Sequence, residues 1–519
     1  MSCCRRCAFV SDTPRKIGVR RMLGDVGLYS RFSIRSHPLR DYQRAPVQAV
    51  LDSVLNQRGD EFAWVFSRQA GKDEAKAQLT VYLLQLMARR GGAIVEANPT
   101  YKPQSLVALG RTKARFASSL LARGLWRSAG YKLYCGLASV TYLSAELSSN
   151  VRGETASLLL ICNEMQDVSA AKWDSEFIPM AASTNATRLY IGTVKTSATL
   201  LAAKMRELRL LEARDGVQRV FLIPWELVEK ENAAYGTFVR GLIMKKGRNH
   251  PSIKTEFDLI EVDADGGMFG AARQALMRGD HGRLFAPLPN ERYVATLDVG
   301  GEDDAVRGGA DVLDNPRRDY TALSVCRVVS HLGLSRYEVV HQVCWHGVGA
   351  ASLYGSLCLL LDCWSPVRIV VDATGVGGGL ASLLYARYGD RVLPFTFTTR
   401  SKAALGSDFL SLIETGRFGF WAGDDEAARV FWQQVAACSY TIPPGEGAID
   451  RTMKWGVPDG TTSDGYDDQG NPARLSVHDD VLISAALVAA LGDARFYDGG
   501  GAVVTAETSI SQRIDGDGF

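Results

Sequence analysis

The chain has 519 residues, 46% hydrophobic and 22% charged, with 59 basic against 57 acidic side chains for a net charge of +2. That length predicts two or three domains with sizeable cores, and the balance excludes a disordered or fibrous chain. The longest apolar runs, such as 481–491, fall short of a membrane span. The Arg-rich N-terminus lacks the apolar core of a secretory signal, so none is expected. With charge so nearly balanced, any nucleic-acid surface has to be a local patch. The ten cysteines are mostly scattered, as small buried residues of a reducing compartment are. Cys4-x-x-Cys7 beside Cys3 has no second ligand pair nearby, which argues against zinc there.

Residues 1 to about 36 show no firm periodicity and read as a loose N-terminal arm. A helix is predicted from Leu39-Arg40-Asp41-Tyr42-Gln43 through Leu55. Phe62 to Phe66 predicts a short buried strand, and Ala75, Leu79, Tyr82, Leu83 and Leu86 a helix directly after it. Between them lies Ser67-Arg68-Gln69-Ala70-Gly71-Lys72-Asp73. Strand, Gly-Lys turn and helix is the layout of a phosphate-binding loop, whose backbone N–H groups and helix N-terminus hold anionic phosphates. The full pattern has Gly where Phe66 stands and Ser or Thr where Asp73 stands, so by itself the motif is weak. Gln43, both donor and acceptor, suits the edge of adenine, although a helix-start Gln facing water is the simpler reading of that residue alone.

Further strands are predicted at 92–97, 131–135, 140–143, 157–162 and 189–193, with a basic helix from Pro103 to Trp126. The alternation predicts a doubly wound parallel sheet. Asn163-Glu164 ends the strand at Cys162, and ligands collect outside the carboxyl ends of parallel strands. Glu164 can orient or deprotonate water, while Asn163 brings no charge to a metal. From Arg219 the chain changes character. The basic loop 245–250 carries little weight alone. Asp263 to Gly267 and Pro287 to Pro289 bracket the expected domain boundary.

The second domain starts afresh with Tyr293 to Asp298, and Val367 to Asp372 repeats the pattern of a strand ending in Asp before glycines. Strands at 320–329 and 337–345 lie between them. His478-Asp479-Asp480 precedes an apolar helix, Val481 to Leu491. One strand-end Asp is commonly a helix cap. Three such carboxylates brought side by side call for a cation, and all-oxygen ligands favour Mg²⁺ or Mn²⁺. Asp480 is the expected direct ligand and Asp479 the expected helix cap. A strand at 395–397, a helix at 402–416 and a hairpin or flap within 443–470 complete the reading. The expected domains are an arm (1–36), a first domain (37–265) with a subdomain from about 219, a linker (266–290), a second domain (291–495) and a flexible tail (496–519).

Arg68-Gln69-x-Gly71-Lys72, the acidic strand end at Glu164, the Gly192-Thr193 strand end and the separated Asp positions, in this order from about Leu39 to Leu491, resemble the large terminase subunit of tailed bacteriophages. Connecting phrases match as well: Asn98-Pro99-Thr100-Tyr101-Lys102, Gly247-Arg248-Asn249-His250-Pro251 and His478-Asp479-Asp480-Val481-Leu482. The resemblance implies an α/β protein, a P-loop ATPase domain followed by an RNase H-like nuclease domain. It implies ATP hydrolysis with Mg²⁺ that moves double-stranded DNA into a procapsid, and a metal-dependent endonuclease that cuts concatemeric DNA, in the host cytoplasm and away from membranes. The implied partners are double-stranded DNA, a portal protein, a small terminase subunit and further copies of the chain in a ring. Residue by residue, Gln43 would read adenine, and Ser67, Arg68, Gln69, Ala70, Gly71, Lys72 and Asp73 would form the ATP loop, with Lys72 on the phosphates. Arg68 would neutralise transition-state charge and Glu164 would act on the attacking water. Thr193, with Thr196, would couple hydrolysis to movement, and Asp298, Asp372, Asp479 or Asp480 would hold Mg²⁺ or Mn²⁺ in the nuclease. Asp73 and Asn163 depart from the family pattern, and the reading adopted is that Asp73 supplies the charge Asn163 lacks. Two other classes stay open: a DNA-binding structural component or prophage remnant with an inactive ATPase, and a stand-alone resolvase-type nuclease.

Overall fold

The computed structural model describes residues 23–34, 37–122, 124–151, 153–197, 199–262, 267–300, 320–345, 350–375, 377–441, 452–466 and 472–492. The chain forms two compact units, one of Met1–Gly241 with Pro251–Asp263 and one of Leu242–His250 with Ala264–Phe519.

The first unit is built on eight strands: β1 (Glu61–Phe66), β2 (Gly92–Asn98), β3 (Trp126–Ala129), β4 (Lys132–Cys135), β5 (Ala138–Ser144), β6 (Leu159–Cys162), β7 (Thr187–Gly192) and β8 (Val220–Ile223). Their order is β3-β4-β5-β2-β6-β7-β1-β8, with β5 to β8 in that row parallel and β3-β4-β5 an antiparallel meander. Both faces of β1 and β6 are covered, which is why these strands read as unbroken apolar runs rather than alternating ones. The core on one face gathers Trp173, Phe177, Tyr190 and Met205 against β6 and β7.

Two expectations change here. Residues read as a loose arm contain a helix, Val26–Ser33, capped by the Asp25 side chain. Tyr29 of that helix stacks on Tyr82 at 4.1 Å, so tertiary packing holds a helix too short to announce itself by periodicity. The helix expected over 103–126 begins as expected, in a π-helical turn over Tyr101–Ser105 that leads into Leu106–Ser118, but it stops there, and Trp126 opens β3.

The second unit carries β9 (Arg292–Asp298), β10 (Thr321–His331), β11 (Leu334–Trp345), β12 (Arg368–Asp372), β13 (Val392–Phe395) and β14 (Phe418–Phe420), ordered β13-β12-β9-β10-β11-β14. Three antiparallel strands, β9-β10-β11, with β12 and β13 added parallel to β9, make an RNase H-like sheet. Leu332 and Gly333, with φ of 53° and 79°, turn β10 into β11 as a two-residue hairpin requires. The apolar C-terminal helix spans Asp480–Ala486 and tightens into a 3₁₀ turn over Leu487–Leu491. Within the expected flap, 462–466 and 472–476 pair as an antiparallel hairpin, and 442–451 and 467–471 lie outside the described residues. The tail expected from 496 also lies outside them.

Residues 267–290, expected as a linker, dock on the second unit. Met277 of the helix Ala271–Met277 is buried, Gly279 N–H donates to Phe420 O and Leu284 N–H donates to Val340 O. Among the described residues no helix is long and apolar enough to cross a membrane.

Candidate functional site

In the first unit, β1 delivers the chain into the loop 67–71, and the helix Lys72–Leu86 leaves it. Gln69 and Gly71 both take left-handed φ, 60° and 80°. A Cβ on Gly71 would lie 2.6 Å from Gln43 Nε2, so this turn is closed to any other residue. Gln43 is buried, donates through Nε2 to Gly71 O at 3.0 Å and Ala70 O at 3.3 Å, and accepts Arg40 N–H at 2.9 Å. These bonds engage its amide within the protein, so in this structure Gln43 props the loop from behind instead of offering an edge to a base. Tyr42 adds a hydroxyl to Ala70 O, and Tyr235 binds Arg68 O and Ser67 Oγ. Neither tyrosine was predictable from the motif, because each is brought in by packing.

Lys72, Glu164 and Thr193 come together in the structure. Lys72 Nζ lies 2.7 Å from Glu164 Oε1 and donates to Thr193 Oγ1 at 3.2 Å. β6 and β7 are neighbours, so Glu164 and Thr193 emerge side by side at their carboxyl ends. Gln166 ties them together, donating to Glu164 Oε2 at 2.7 Å and accepting Thr193 N–H at 3.1 Å. Gly192 makes room for it, since a Cβ there would come within 2.2 Å of Gln166 Oε1. Glu164 itself sits in the left-handed region at φ 50°, a strained backbone of the kind found at functional sites. Arg68 lies elsewhere: its guanidinium grips Glu256 at 3.1 and 3.2 Å.

Asp73 pairs with Lys76 at 3.3 Å, and Lys76, 2% exposed, also grips Glu96 at 2.6 Å. Burial acts against the Asp73 carboxylate, but Lys76, Lys72 and Arg111 together hold its pKa below the usual value. From Glu96 the line continues through Asn98 Nδ2 at 3.4 Å to Asn163, whose Nδ2 donates to Asn98 Oδ1 at 2.9 Å. Asp73, half-buried, and Asn163 are therefore the two ends of a polar chain whose middle, Lys76, Glu96 and Asn98, is buried. Asn163 Oδ1 is buried without a partner, an acceptor suited to water in a cation's hydration shell.

In the second unit, β12 runs parallel to β9 with Val371 opposite Leu297, so the next residues, Asp372 and Asp298, end neighbouring strands. Burial, then the carboxylates of Asp480, Asp372 and Asp479, push the Asp298 carboxyl well above its usual range against the weaker pull of Lys402. Burial also raises Asp372, whose Oδ1 accepts Thr374 N–H at 2.8 Å. Three carboxylates around one reluctant acid form a hard-oxygen donor set that fits a divalent cation. Asp480 opens the C-terminal helix, is 7% exposed, and accepts Tyr320 N–H at 3.0 Å. Asp479, expected as the helix cap, makes no capping bond and reaches Lys402 Nζ at 3.5 Å. Its backbone at φ −117°, ψ 5° is not that of a side-chain cap, so the second carboxylate stays at the cluster.

A buried polar ladder seats that helix. Ser484 bonds Thr296 O at 3.0 Å and Ser324 Oγ at 2.9 Å, Gln342 bonds Ser324 Oγ at 2.8 Å and Val481 O at 3.0 Å, and Gln434 accepts Leu482 N–H at 2.9 Å. Sequence reasoning missed these residues. The signal available was a Ser inside an apolar helix and a Gln inside an apolar strand.

Fold and geometry thus define an α/β chain with a P-loop-like polar cluster in one unit and a strand-end carboxylate cluster in an RNase H-like unit. In structure it is similar to phage large terminases. The large terminase of one thermophilic bacteriophage is 11% identical and covers 87% of this chain and 98% of its own, with a TM-score of 0.41. That of bacteriophage HK97 is 14% identical over 90% of this chain and 99% of its own, with a TM-score of 0.37. The large terminase nuclease of a second thermophilic phage, G20c, with bound magnesium is 17% identical over 44% of this chain and 98% of its own, with a TM-score of 0.28. No family model matches the chain, and no curated protein does.

Proposed function

We propose that the chain is the large, two-activity subunit of a phage DNA-packaging enzyme, an ATPase coupled to translocation of double-stranded DNA and a metal-dependent endonuclease. The observation that carries the reading is Lys72, whose single ammonium gathers Glu164 and Thr193 from positions about a hundred residues downstream. Without nucleotide, Lys72 neutralises Glu164. The phosphates of ATP, with more charge, compete for Lys72 and release Glu164, which Gln166 keeps oriented to take a proton from the attacking water. Arg68 leaves Glu256 to reach developing charge. A bound Mg²⁺ supplies charge neutralisation on the phosphates, and Asp73 with Asn163 Oδ1 are the groups that would hold its water shell. In the second unit Asp298, Asp372 and Asp480, with Asp479 beside them, would hold Mg²⁺ or Mn²⁺, which when bound would supply water activation and charge stabilisation of the leaving oxygen. A portal protein, a small terminase subunit and ring assembly belong to the same proposal.

The test separates the activities. Lys72→Ala should abolish ATP hydrolysis and keep metal-dependent nicking of plasmid DNA. Asp298→Ala, Asp372→Ala and Asp480→Ala should do the reverse. A folded Lys72→Ala chain that loses both activities counts against two independent sites.

A further inference from the structure

The segment leading into β9 makes a side-chain cluster that neither site uses. Gly279 N–H donates to Phe420 O at 2.7 Å, and Arg278 forms an isolated parallel bridge with Phe420. This anchor sets Asp280 and His281 beside Glu338 of β11. One ligand atom from each, an imidazole nitrogen and two carboxylate oxygens, lies within 4.8 Å of the others.

Each member is prepared differently. His281 Nε2 is 2.9 Å from Val339 O, which only a protonated Nε2 satisfies, so Nδ1 carries the bare lone pair. Nδ1 is buried and has no hydrogen-bond partner. A histidine whose other N–H is fixed on a backbone carbonyl is the arrangement metal-ligating histidines adopt. The ring folds back on Gly279, where a Cβ would come within 2.4 Å of Cε1 and 2.5 Å of Nδ1, so only glycine admits this imidazole. Glu338 is 6% exposed, and its Oε2 takes Arg327 at 2.7 and 3.1 Å. Its Oε1 has Arg336 Nε at 3.3 Å without hydrogen-bond alignment. Asp280 is exposed and, with Arg278, Ser330, His331, Arg336 and Glu338, lines a cavity of about 540 Å³. The arginines neutralise Glu338 but give no donor to Nδ1.

We propose that Asp280, His281 and Glu338 form a divalent-metal site of the Zn²⁺ class, with a fourth position open to the cavity. One imidazole with two carboxylates suits Zn²⁺, whereas the strand-end cluster is all oxygen. Tetrahedral bonds of about 2.0–2.1 Å set ligand atoms about 3.4 Å apart, so exposed Asp280 closes by roughly an ångström. Glu338 is level, through Arg327, with Tyr293 near the start of β9, five residues or roughly 16 Å along the strand from Asp298. The site is thus separate from the strand-end cluster, and the proposal does not rest on the nuclease reading. The cation would tie the segment entering β9 to β11 and stabilise the native unit by mass action.

The experiment uses the full chain carrying Asp298→Asn and Asp372→Asn, so that the strand-end cluster is silenced, after stripping with EDTA. Zn²⁺ is titrated by calorimetry and Co²⁺ by its visible absorption. One equivalent per chain should disappear with His281→Ala and with Gly279→Ala, and Asp280→Asn should weaken it at least tenfold. Zn²⁺ should raise the unfolding midpoint only while that equivalent is present. Asp280 is exposed, so its variant keeps the fold and keeps the test decisive. Unchanged stoichiometry in His281→Ala, or unchanged affinity in Asp280→Asn, overturns the site.

Discussion

At the scale of single residues, Gln43 separates two roles that a motif cannot. A base reader and a loop prop are both glutamines at the same position, and only the carbonyls of Ala70 and Gly71 at its amide distinguish them. Removing a buried donor from two acceptors costs about 1–3 kcal/mol. Gln43→Ala should therefore weaken ATP and GTP binding by similar factors, measured by fluorescence titration of both nucleotides. Loss confined to ATP would restore the adenine role. His250 carries a pH dependence of its own. It is 2% exposed with Nε2 3.1 Å from Ser407 O, and burial, with Lys246 and Arg273 nearby, drives its pKa from 6.5 to about 4 against the pull of the Ser407 carbonyl. The unfolded chain takes up that proton near 6.5 and the native chain near 4. Stability is therefore present above pH 6.5 and is lost as pH falls towards 4, by about 3 kcal/mol in full. His250→Gln should flatten the urea midpoint between those pH values, and an unchanged slope would place the titration elsewhere. Lys72 was legible from the Gly-Lys turn that opens its helix, and Glu164 and Thr193 because each follows a strand end that the pattern announces. Gln166, Tyr235 and Lys76 were not, because a buried polar side chain within a loop or helix looks the same in sequence whether it faces water or a partner.

At the scale of elements, the helix Lys72–Leu86 and β2 share the chain Asp73–Lys76–Glu96–Asn98–Asn163. The sequence reading has Asp73 compensate for Asn163, and the contacts give that idea a route through Lys76. Asp73→Thr should slow ATP hydrolysis roughly tenfold, about 1.4 kcal/mol of barrier, and adding Asn163→Asp should recover much of it. Additive effects in that double-mutant cycle would mean the two ends do not communicate. Lys76→Met removes the centre and leaves Glu96 buried and unpaired, at a cost of about 3–5 kcal/mol in stability. Chemical denaturation of that variant, with and without Glu96→Gln, checks it: recovery by the second change is expected. The parallel strands were readable as apolar runs. Helix ends were less so: Trp126 left the predicted helix for β3 because the meander needed an edge strand, a tertiary demand that no local pattern carries.

At the scale of the whole molecule, one unit border, 263–264, falls where the sequence presents a connector, while another, 241–242, falls inside the helix Ala233–Lys246. Residues 267–290 are tied to the second unit through Gly279 and Leu284, and 242–250 through His250. A fragment of residues 242–492 should thus unfold at a higher urea concentration than one of 291–492, as followed by circular dichroism; equal midpoints would show that the docked segments add nothing. The chain passes between units three times, at 241–242, 250–251 and 263–264. In the second unit, Gly247 lies so close to Glu414 that a Cβ would approach its Cβ to 2.5 Å, and His250 sits on Ser407. Recombination between related genes therefore cannot exchange the second unit with one breakpoint. A crossover at 264 brings in Ser407 and Glu414 from one parent and keeps 242–250 from the other, so that nine-residue piece has to be inherited with sequence it precedes by more than 150 positions.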